Sequence, residues 1–209
     1  MPFTSDTDWT SQQNIKPIKT LERGKLYSLD DILFRMIAYS DNNAMELLLE
    51  EFPSDNLDHF LADHNIDYEK APDGFMMSLG TYSWFFEALY DKSLLNSDMS
   101  KKALSYLAAE EFPQGMHAVV PANVVVESKF GEKLLLDENG KVLSTQLHEV
   151  GIVLNGDHPF LLGIMTSGED LTVLEKIIRE ITYDVYEVNA HTADNNQNQM
   201  DCTHSRCHV

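Results

Sequence analysis

The sequence has little cysteine, little positive charge and no long apolar run. Its two cysteines, Cys202 and Cys207, both lie near the C-terminus, so no disulfide can join distant parts of a core. Cysteine usage therefore does not indicate whether the protein works in an oxidising or a reducing compartment. Fifteen Lys and Arg residues stand against 34 Asp and Glu residues, giving a net charge of −19. Such a charge repels a phosphate backbone and argues against nucleic-acid binding. No apolar run reaches the roughly 20 residues of a membrane helix, and residues 1–16 lack the apolar segment of a secretory signal.

The composition is otherwise that of an ordinary globular protein. Hydrophobic residues make up 43% and charged residues 23% of the 209 positions, which is enough for one sizeable domain or two small ones. Residues 1–27 carry scattered polar side chains without sustained periodicity. We therefore predict that this segment is mostly irregular.

Helical spacing begins after this segment. Ser28 is expected to cap a helix that ends near Tyr39, because the apolar residues between them repeat on one face. Asn42 or Asn43 is expected to cap a second helix and Ser54 a third. Further along, the sequence predicts a loop over 64–74 and helices over 79–89 and 99–107.

The second half changes to strand patterns. Strands are predicted over 124–133, 146–154 and 160–166, joined by turns rich in Asp, Asn and Gly, and this order indicates an antiparallel meander. An amphipathic helix over 169–185 should cover the sheet. Helices followed by strands and a final helix indicate an α+β fold rather than alternating βαβ units.

The chain therefore divides into three parts. Residues 1–27 are the irregular segment, and residues 28–187 are the domain, mostly helical over 28–115 and built from the sheet and final helix over 116–187. The last part, 188–209, is a polar tail. Because the sequence has no Leu, Ile or Phe from residue 189 onward, the tail is expected to be disordered.

The tail holds four potential metal ligands, Cys202, His204, Cys207 and His208. Their chemistry suits zinc or copper, but their spacing matches no structural zinc motif. A disordered polar extension is therefore the favoured alternative. Elsewhere the sequence predicts neither a metal site nor a cofactor.

Two short motifs are candidates for chemistry: Ser40-Asp41-Asn42 after the first predicted helix, and Lys129-Phe130-Gly131 on the first long predicted strand. The first triplet occurs again at 54–56, so it is weak evidence alone, because all three residue types are common helix caps. The simplest interpretation of Lys129 alone is likewise a solvated strand lysine.

The motifs gain weight from their order and surroundings. The segments YSDNNAMELLL, ESKFGEK and QLHEVGIVLNGDHPFLLGIMTSG follow one another along the chain. Over about residues 11–187, the chain resembles the class A serine β-lactamases and the related penicillin-binding proteins, whose signature is S-x-x-K, S-D-N and K-T-G. The resemblance implies a β-lactamase/transpeptidase-like fold with a helical subdomain, a sheet meander and a covering C-terminal helix, in which Asp41 would be structural.

The resemblance also implies roles for five residues. Ser40 would relay a proton toward the leaving nitrogen, Asn42 would bind the substrate carbonyl and the lysine of S-x-x-K, and Lys129 would bring positive charge toward the substrate carboxylate. Gly131 and Glu132 would bind substrate. The backbone N–H of Glu132 would serve the oxyanion hole, and its side chain is not expected to matter.

Three departures from the family pattern limit these roles. No serine in the sequence is followed by a lysine three residues later, so the acylated serine is missing, and we expect the N-terminal strands and the S-x-x-K segment of the domain to be absent. Phe130 replaces the hydroxyl residue of K-T-G. The loop containing Glu69 does not match the family loop whose glutamate positions the deacylating water.

These features point to two possible functions, a leading one and an alternative. The first is acyl transfer on a β-lactam or peptidoglycan peptide amide by a serine hydrolase that is incomplete and inactive as given. The alternative is a non-catalytic relative that binds peptidoglycan or a partner.

Strand 160–166 would expose an unpaired apolar edge and favour self-association. A full-length version would be extracytoplasmic or membrane-anchored by resemblance.

Overall fold

The computed structural model describes residues 1–52, 54–66, 68–71 and 74–204. Within these residues the helices are α1 (Leu29–Ala38), α2 (Asn42–Glu51), α3 (Ser54–Asp63), α4 (Leu79–Tyr90), α5 (Ser97–Leu107) and α6 (Leu171–His204). The strands are β1 (Glu69–Ala71), β2 (Gly74–Met76), β3 (Val125–Leu136), β4 (Val142–Leu154) and β5 (Phe160–Gly168). Two short 3-10 helices lie at Trp9–Gln12 and Met116–Ala118.

The first helices follow their local capping signals. Ser28 Oγ accepts the Asp31 N–H at 3.1 Å, and α1 ends at Ala38 with Tyr39 as its C-cap, so the predicted start and the predicted end near Tyr39 are both confirmed. The predicted cap of α2 is wrong: Asp41, not Asn42 or Asn43, is the N-cap, because its carboxylate accepts the Asn43 N–H at 3.0 Å. The predicted cap at Ser54 rests on a side chain outside the described residues.

The predicted loop over 64–74 is more ordered than expected. Strands β1 and β2 form a small antiparallel hairpin in which Glu69 lies opposite Met76. Helices α4 and α5 then follow close to their predicted positions. The prediction of a plain loop is therefore wrong for the residues that the hairpin contains.

The main sheet is the predicted antiparallel meander, in the order β3-β4-β5. Its register places Phe130 opposite Glu149 and Ser128 opposite Gly151. Strands β3 and β4 extend further toward their connecting turn than predicted, and Gly140 in that turn has a φ of 78°, a conformation that glycine adopts without strain.

Each face of the sheet packs against helices. On one face, Val126, Phe130 and Leu147 form a core with Leu174 and Ile178 of α6. On the opposite face, Val150 and Ile152 pack with residues of α4 and α5, including Phe86 and Leu104. Alternation along the strands produces these two apolar faces, and the α+β class predicted from the sequence is confirmed.

The N-terminal segment belongs to the helical layer. It is largely irregular, as predicted, but Phe3 and Leu21 are buried in a cluster with Ile32, Ala44 and Leu47. The segment therefore supports α1 and α2 instead of merely leading to them.

Helix α6 is longer than expected. It continues to His204, well into the segment 188–209 for which we predicted disorder, and this corrects that prediction as far as His204. Adding residues to an existing helix costs less than starting one, because each adds a hydrogen bond to a formed nucleus. Residues 205–209 lie outside the described residues, as do the side chains of Cys202 and His204, so the zinc hypothesis stays untested.

None of the helices in the described ranges is both long enough and apolar enough to cross a membrane.

Candidate active site

Ser40 lies in the short connection between α1 and α2. Its φ is 54°, in the left-handed region that non-glycine residues seldom occupy, at a cost of roughly 1–3 kcal/mol. The Gln13 side chain donates from Nε2 to the Ser40 carbonyl at 3.0 Å. The N-terminal segment therefore helps to hold this strained turn.

Asp41 stabilises the same turn through hydrogen bonds to its buried carboxylate. It is 1% exposed, and its carboxylate accepts from the Leu21 N–H and the Thr20 hydroxyl, both at 2.8 Å. Burial raises the pKa of Asp41, and these hydrogen bonds oppose the rise. The contacts support the structural role that the resemblance implied for this residue.

Asn42 is the first residue of α2 and is half-buried. The hydrogen bonds described for this turn belong to its neighbours. Asn43 donates from Nδ2 to Thr20 Oγ1 at 2.9 Å and accepts the Trp9 N–H at 2.8 Å. The catalytic role of Asn42 stays a prediction.

Lys129 reaches from β3 to Ser40. Its Nζ donates to Ser40 Oγ at 3.0 Å and to the Phe130 carbonyl at 2.8 Å, and it lies 4.2 Å from the centre of the Phe130 ring. Only 18% of its side chain is exposed. Lys129 is therefore not a solvated strand lysine, which was the simplest interpretation of the sequence. Its contact with Ser40 joins two residues that lie 89 positions apart in the chain.

Glu110, just after α5, is a central residue that sequence reasoning missed. Its side chain is fully buried and lies 3.5 Å from Lys129 Nζ. It accepts the Phe130 N–H at 2.5 Å and the Ser128 hydroxyl at 2.6 Å. Glu110 thus pairs with the lysine and also accepts one backbone N–H at the open edge of β3.

A second buried carboxyl group, Glu149 on β4, lies close to this pair. The Met116 N–H donates to both of its oxygens, at 3.1 and 3.0 Å. Burial first, and the nearby Glu110 second, raise the pKa of Glu149 to about 8. Burial lowers the pKa of Lys129, and Glu110 opposes that shift. At neutral pH the cluster therefore holds a neutral Glu149 beside the Lys129–Glu110 pair.

Gly131 and Glu132 continue β3 beyond the lysine. N–H directions alternate along a strand, and the Phe130 N–H points outward to Glu110, so the Glu132 N–H faces the same open edge. Its side chain also has a contact that we did not expect. Glu132 Oε1 accepts the N–H groups of Asn14 at 2.6 Å and Ile15 at 3.0 Å, so the expectation that this side chain does not matter is wrong.

A cavity of about 540 Å³ adjoins Gly131 and Glu132. Apolar and aromatic side chains, including Tyr82 and Met165, form much of its wall. His148 also lines it, and its Nδ1 is buried without a hydrogen-bond partner. Burial lowers the pKa of His148.

The described part of the chain contains no cluster of three or more His, Cys, Asp or Glu side chains arranged to hold a metal ion. The site combines a serine in a strained conformation, a buried lysine and two buried carboxyl groups. A comparison with protein-family models gives a match to the β-lactamase enzyme family over residues 2–188. The chain belongs to this family.

Solved β-lactamases share the fold. A variant of the extended-spectrum β-lactamase TLA-1 matches with a TM-score of 0.67 and 20% identity, over 80% of this chain and 66% of that one. A β-lactamase from Chitinophaga pinensis gives 0.66 and 18%, over 78% and 67%. A class A β-lactamase from Bacteroides cellulosilyticus gives 0.68 and 15%, over 81% and 66%.

The chain therefore spans about two thirds of the length of these β-lactamases. A comparison with curated protein sequences gives no match. The β-lactamase-like family and fold predicted from the motifs are confirmed.

Proposed function

We propose that this site belongs to a serine hydrolase that transfers the acyl group of a β-lactam or a peptidoglycan peptide amide. The observation that carries the proposal is the 3.0 Å hydrogen bond from Lys129 Nζ to Ser40 Oγ. A buried ammonium that donates to a hydroxyl makes that hydroxyl a better proton donor. The small-molecule class of substrate follows from the family.

In the proposed reaction a nucleophile forms a new bond to the acyl carbon as the amide C–N bond breaks. Ser40 gives its hydroxyl proton to the leaving nitrogen, and the Lys129 ammonium replaces that proton. The outward N–H of Glu132 stabilises the acyl oxygen, and Gly131 leaves room beside it, because no atom lies within 4 Å of a Cβ placed there. The amide of Asn42 binds the substrate carbonyl.

Acyl transfer also needs a nucleophile that this sequence does not supply. No serine precedes a lysine by three residues, and a serine without an adjacent base is a weak nucleophile. We therefore propose that the chain as given binds substrates reversibly and does not form an acyl-enzyme.

Two measurements test this function. Fluorescent penicillin should give no covalent band, whereas NMR titration with benzylpenicillin should shift amides of β3 around Gly131. Lys129→Met should weaken this reversible binding about tenfold, the effect of losing one charged hydrogen bond. Absence of binding would overturn the proposed function, and stoichiometric labelling of any serine would overturn the missing nucleophile.

The second candidate is a non-catalytic relative that binds peptidoglycan or a protein partner through the same cleft. Phe130 favours it, because the family's hydroxyl at this position, a donor to the substrate carboxylate, is replaced by a ring. Binding to purified peptidoglycan without any affinity for benzylpenicillin would select this alternative. Because a cell-wall ligand lies outside the cytoplasm, this alternative is consistent with an extracytoplasmic location.

We also propose self-association through β5. In the described sheet β5 pairs with β4 alone, and Met165 on this strand is 38% exposed. An unpaired strand edge invites a second copy. Sedimentation should show dimers or larger species, and Met165→Lys should shift them toward monomer. A wild-type chain that stays monomeric at high concentration would refute this proposal.

A further inference from the structure

Glu149 is a fully buried carboxyl group with few partners. It lies directly opposite Phe130, on the face of the sheet that α6 covers, and it has no solvent exposure. Both of its oxygens accept the same donor, the Met116 N–H. A buried carboxylate needs a cation or several donors to stay ionised, so the remaining contacts of Glu149 decide whether it carries a proton.

The Ser128 hydroxyl links Glu149 to Glu110. It donates to Glu110 Oε2 at 2.6 Å, and it also forms a hydrogen bond with Glu149. A hydroxyl carries one proton; that proton is directed at Glu110, so the Ser128 oxygen is the acceptor toward Glu149. Glu110 keeps the negative charge, because it accepts the Phe130 N–H at 2.5 Å and lies 3.5 Å from Lys129 Nζ. The carboxyl group of Glu149 therefore holds the proton that it donates to Ser128.

The elements around Glu149 bring few other charges. On β5, Ile164 lies opposite it. The second 3-10 helix brings His117, which is neutral above pH 7 because burial lowers its pKa. On α6, Arg179 donates to a backbone carbonyl at 2.9 Å. Lys129 on β3 is thus the cation whose balance depends on Glu149.

The proton on Glu149 sets the charge of the site. With the proton, Lys129 and Glu110 form a neutral pair, and the ammonium donates to Ser40 Oγ at 3.0 Å. Without the proton, the same buried cluster holds two carboxylates and one ammonium. A net negative charge beside Lys129 repels the carboxylate of a ligand more strongly in a buried site than in water.

We propose that Glu149 is a positioning residue for the Lys129 ammonium, and that an anionic ligand binds at Lys129 preferentially when Glu149 carries its proton. Where Glu149 is ionised in the free protein, binding therefore takes up a proton. This inference rests on the proposed function and specifies how pH regulates that site.

Benzylpenicillin tests the coupling, because its carboxylate stays ionised above pH 6. Burial raises the pKa of Glu149 to about 8, and a bound anion should raise it by about one further unit. The affinity of the full chain, measured by NMR titration, should then fall about fivefold between pH 6.5 and 9. Calorimetry at pH 8.5 in Bicine and in Tris, which differ in ionisation enthalpy, should show uptake of about half a proton.

A matched pair of variants separates this role from a structural one. Glu149→Gln keeps the shape of the protonated acid and should remove both effects, leaving an affinity close to that of the wild type at pH 6.5. Glu111→Gln removes an exposed carboxylate next to Glu110 and should keep both effects. A residue that only supports the fold would change the affinity equally at every pH.

A wild-type affinity that does not change with pH would overturn the coupling and leave the proposed function standing. The same holds if Glu149→Gln still takes up the proton, since the proton would then belong to another group. Failure of benzylpenicillin to bind at any pH would overturn the coupling and the proposed function together.

Discussion

Glu149→Gln should change how the stability of the protein depends on pH. Glu149 has no solvent exposure and lies near the carboxylate of Glu110, so its pKa rises to about 8 from the ordinary 4.5. The folded chain therefore keeps a proton on Glu149 over a range in which the unfolded chain has lost it. Glutamine resembles the protonated acid in shape and never ionises.

The magnitude follows from proton linkage. Between pH 4.5 and 8 the folded state holds one more proton than the unfolded state, so the free energy of unfolding falls by about 1.4 kcal/mol per pH unit. The stability contributed by the proton is complete below pH 4.5 and is lost as the pH rises through 8. Between pH 5.5 and 8, Glu149→Gln should gain about 3 kcal/mol relative to wild type.

Urea unfolding followed by tryptophan fluorescence measures this difference. The range pH 5.5 to 8.5 avoids precipitation near the isoelectric point of about 4.6. The two histidines whose pKa values burial lowers, His117 and His148, titrate in both proteins and cancel in the comparison. Glu111→Gln, which removes an exposed carboxylate nearby, is the matched control and should follow the wild-type curve.

Parallel curves for wild type and Glu149→Gln would refute the reasoning. That result would mean that Glu149 is ionised in the folded protein and that Lys129 balances two carboxylates. The charge assigned to the cluster at neutral pH would then be wrong.

Two matched pairs of substitutions test the backbone of the site by the same unfolding assay. Ser40→Gly and Ser40→Ala both remove the hydroxyl, but glycine accepts a φ of 54°, so the glycine variant should be more stable by about 1 kcal/mol. Gly115→Ala would place a Cβ 2.3 Å from Glu149 Oε2 and 2.5 Å from Phe112, at a cost of about 1–3 kcal/mol. Gly131→Ala meets no atom within 4 Å and should cost little. Equal stabilities within either pair would contradict the corresponding argument.

Local signals accounted for much of the fold. The cap at Ser28 and the alternation along β3 to β5 depend on residues close in sequence, so they were readable without a structure. The cap of α2 was misassigned because Asp41 and its two asparagine neighbours all have side chains that can cap. The end of α6 was missed because composition alone does not say how far an anchored helix extends.

The site was only partly predictable. Ser40 and Lys129 were proposed from motifs, and the structure brings them into contact. Glu110, Glu149 and the side chain of Glu132 carry no local signal, since their partners are separated from them by 18 or more positions. Residues of this kind become visible only once packing sets their burial.

The Ser40–Lys129 hydrogen bond has a consequence for how the protein folds. It closes a loop of 89 residues and joins the helical layer to the sheet, and such long closures carry a large entropic cost. Neither layer can form this contact by itself. The site should therefore assemble late, so that protection of the Ser40 turn from hydrogen exchange would report completion of the whole fold.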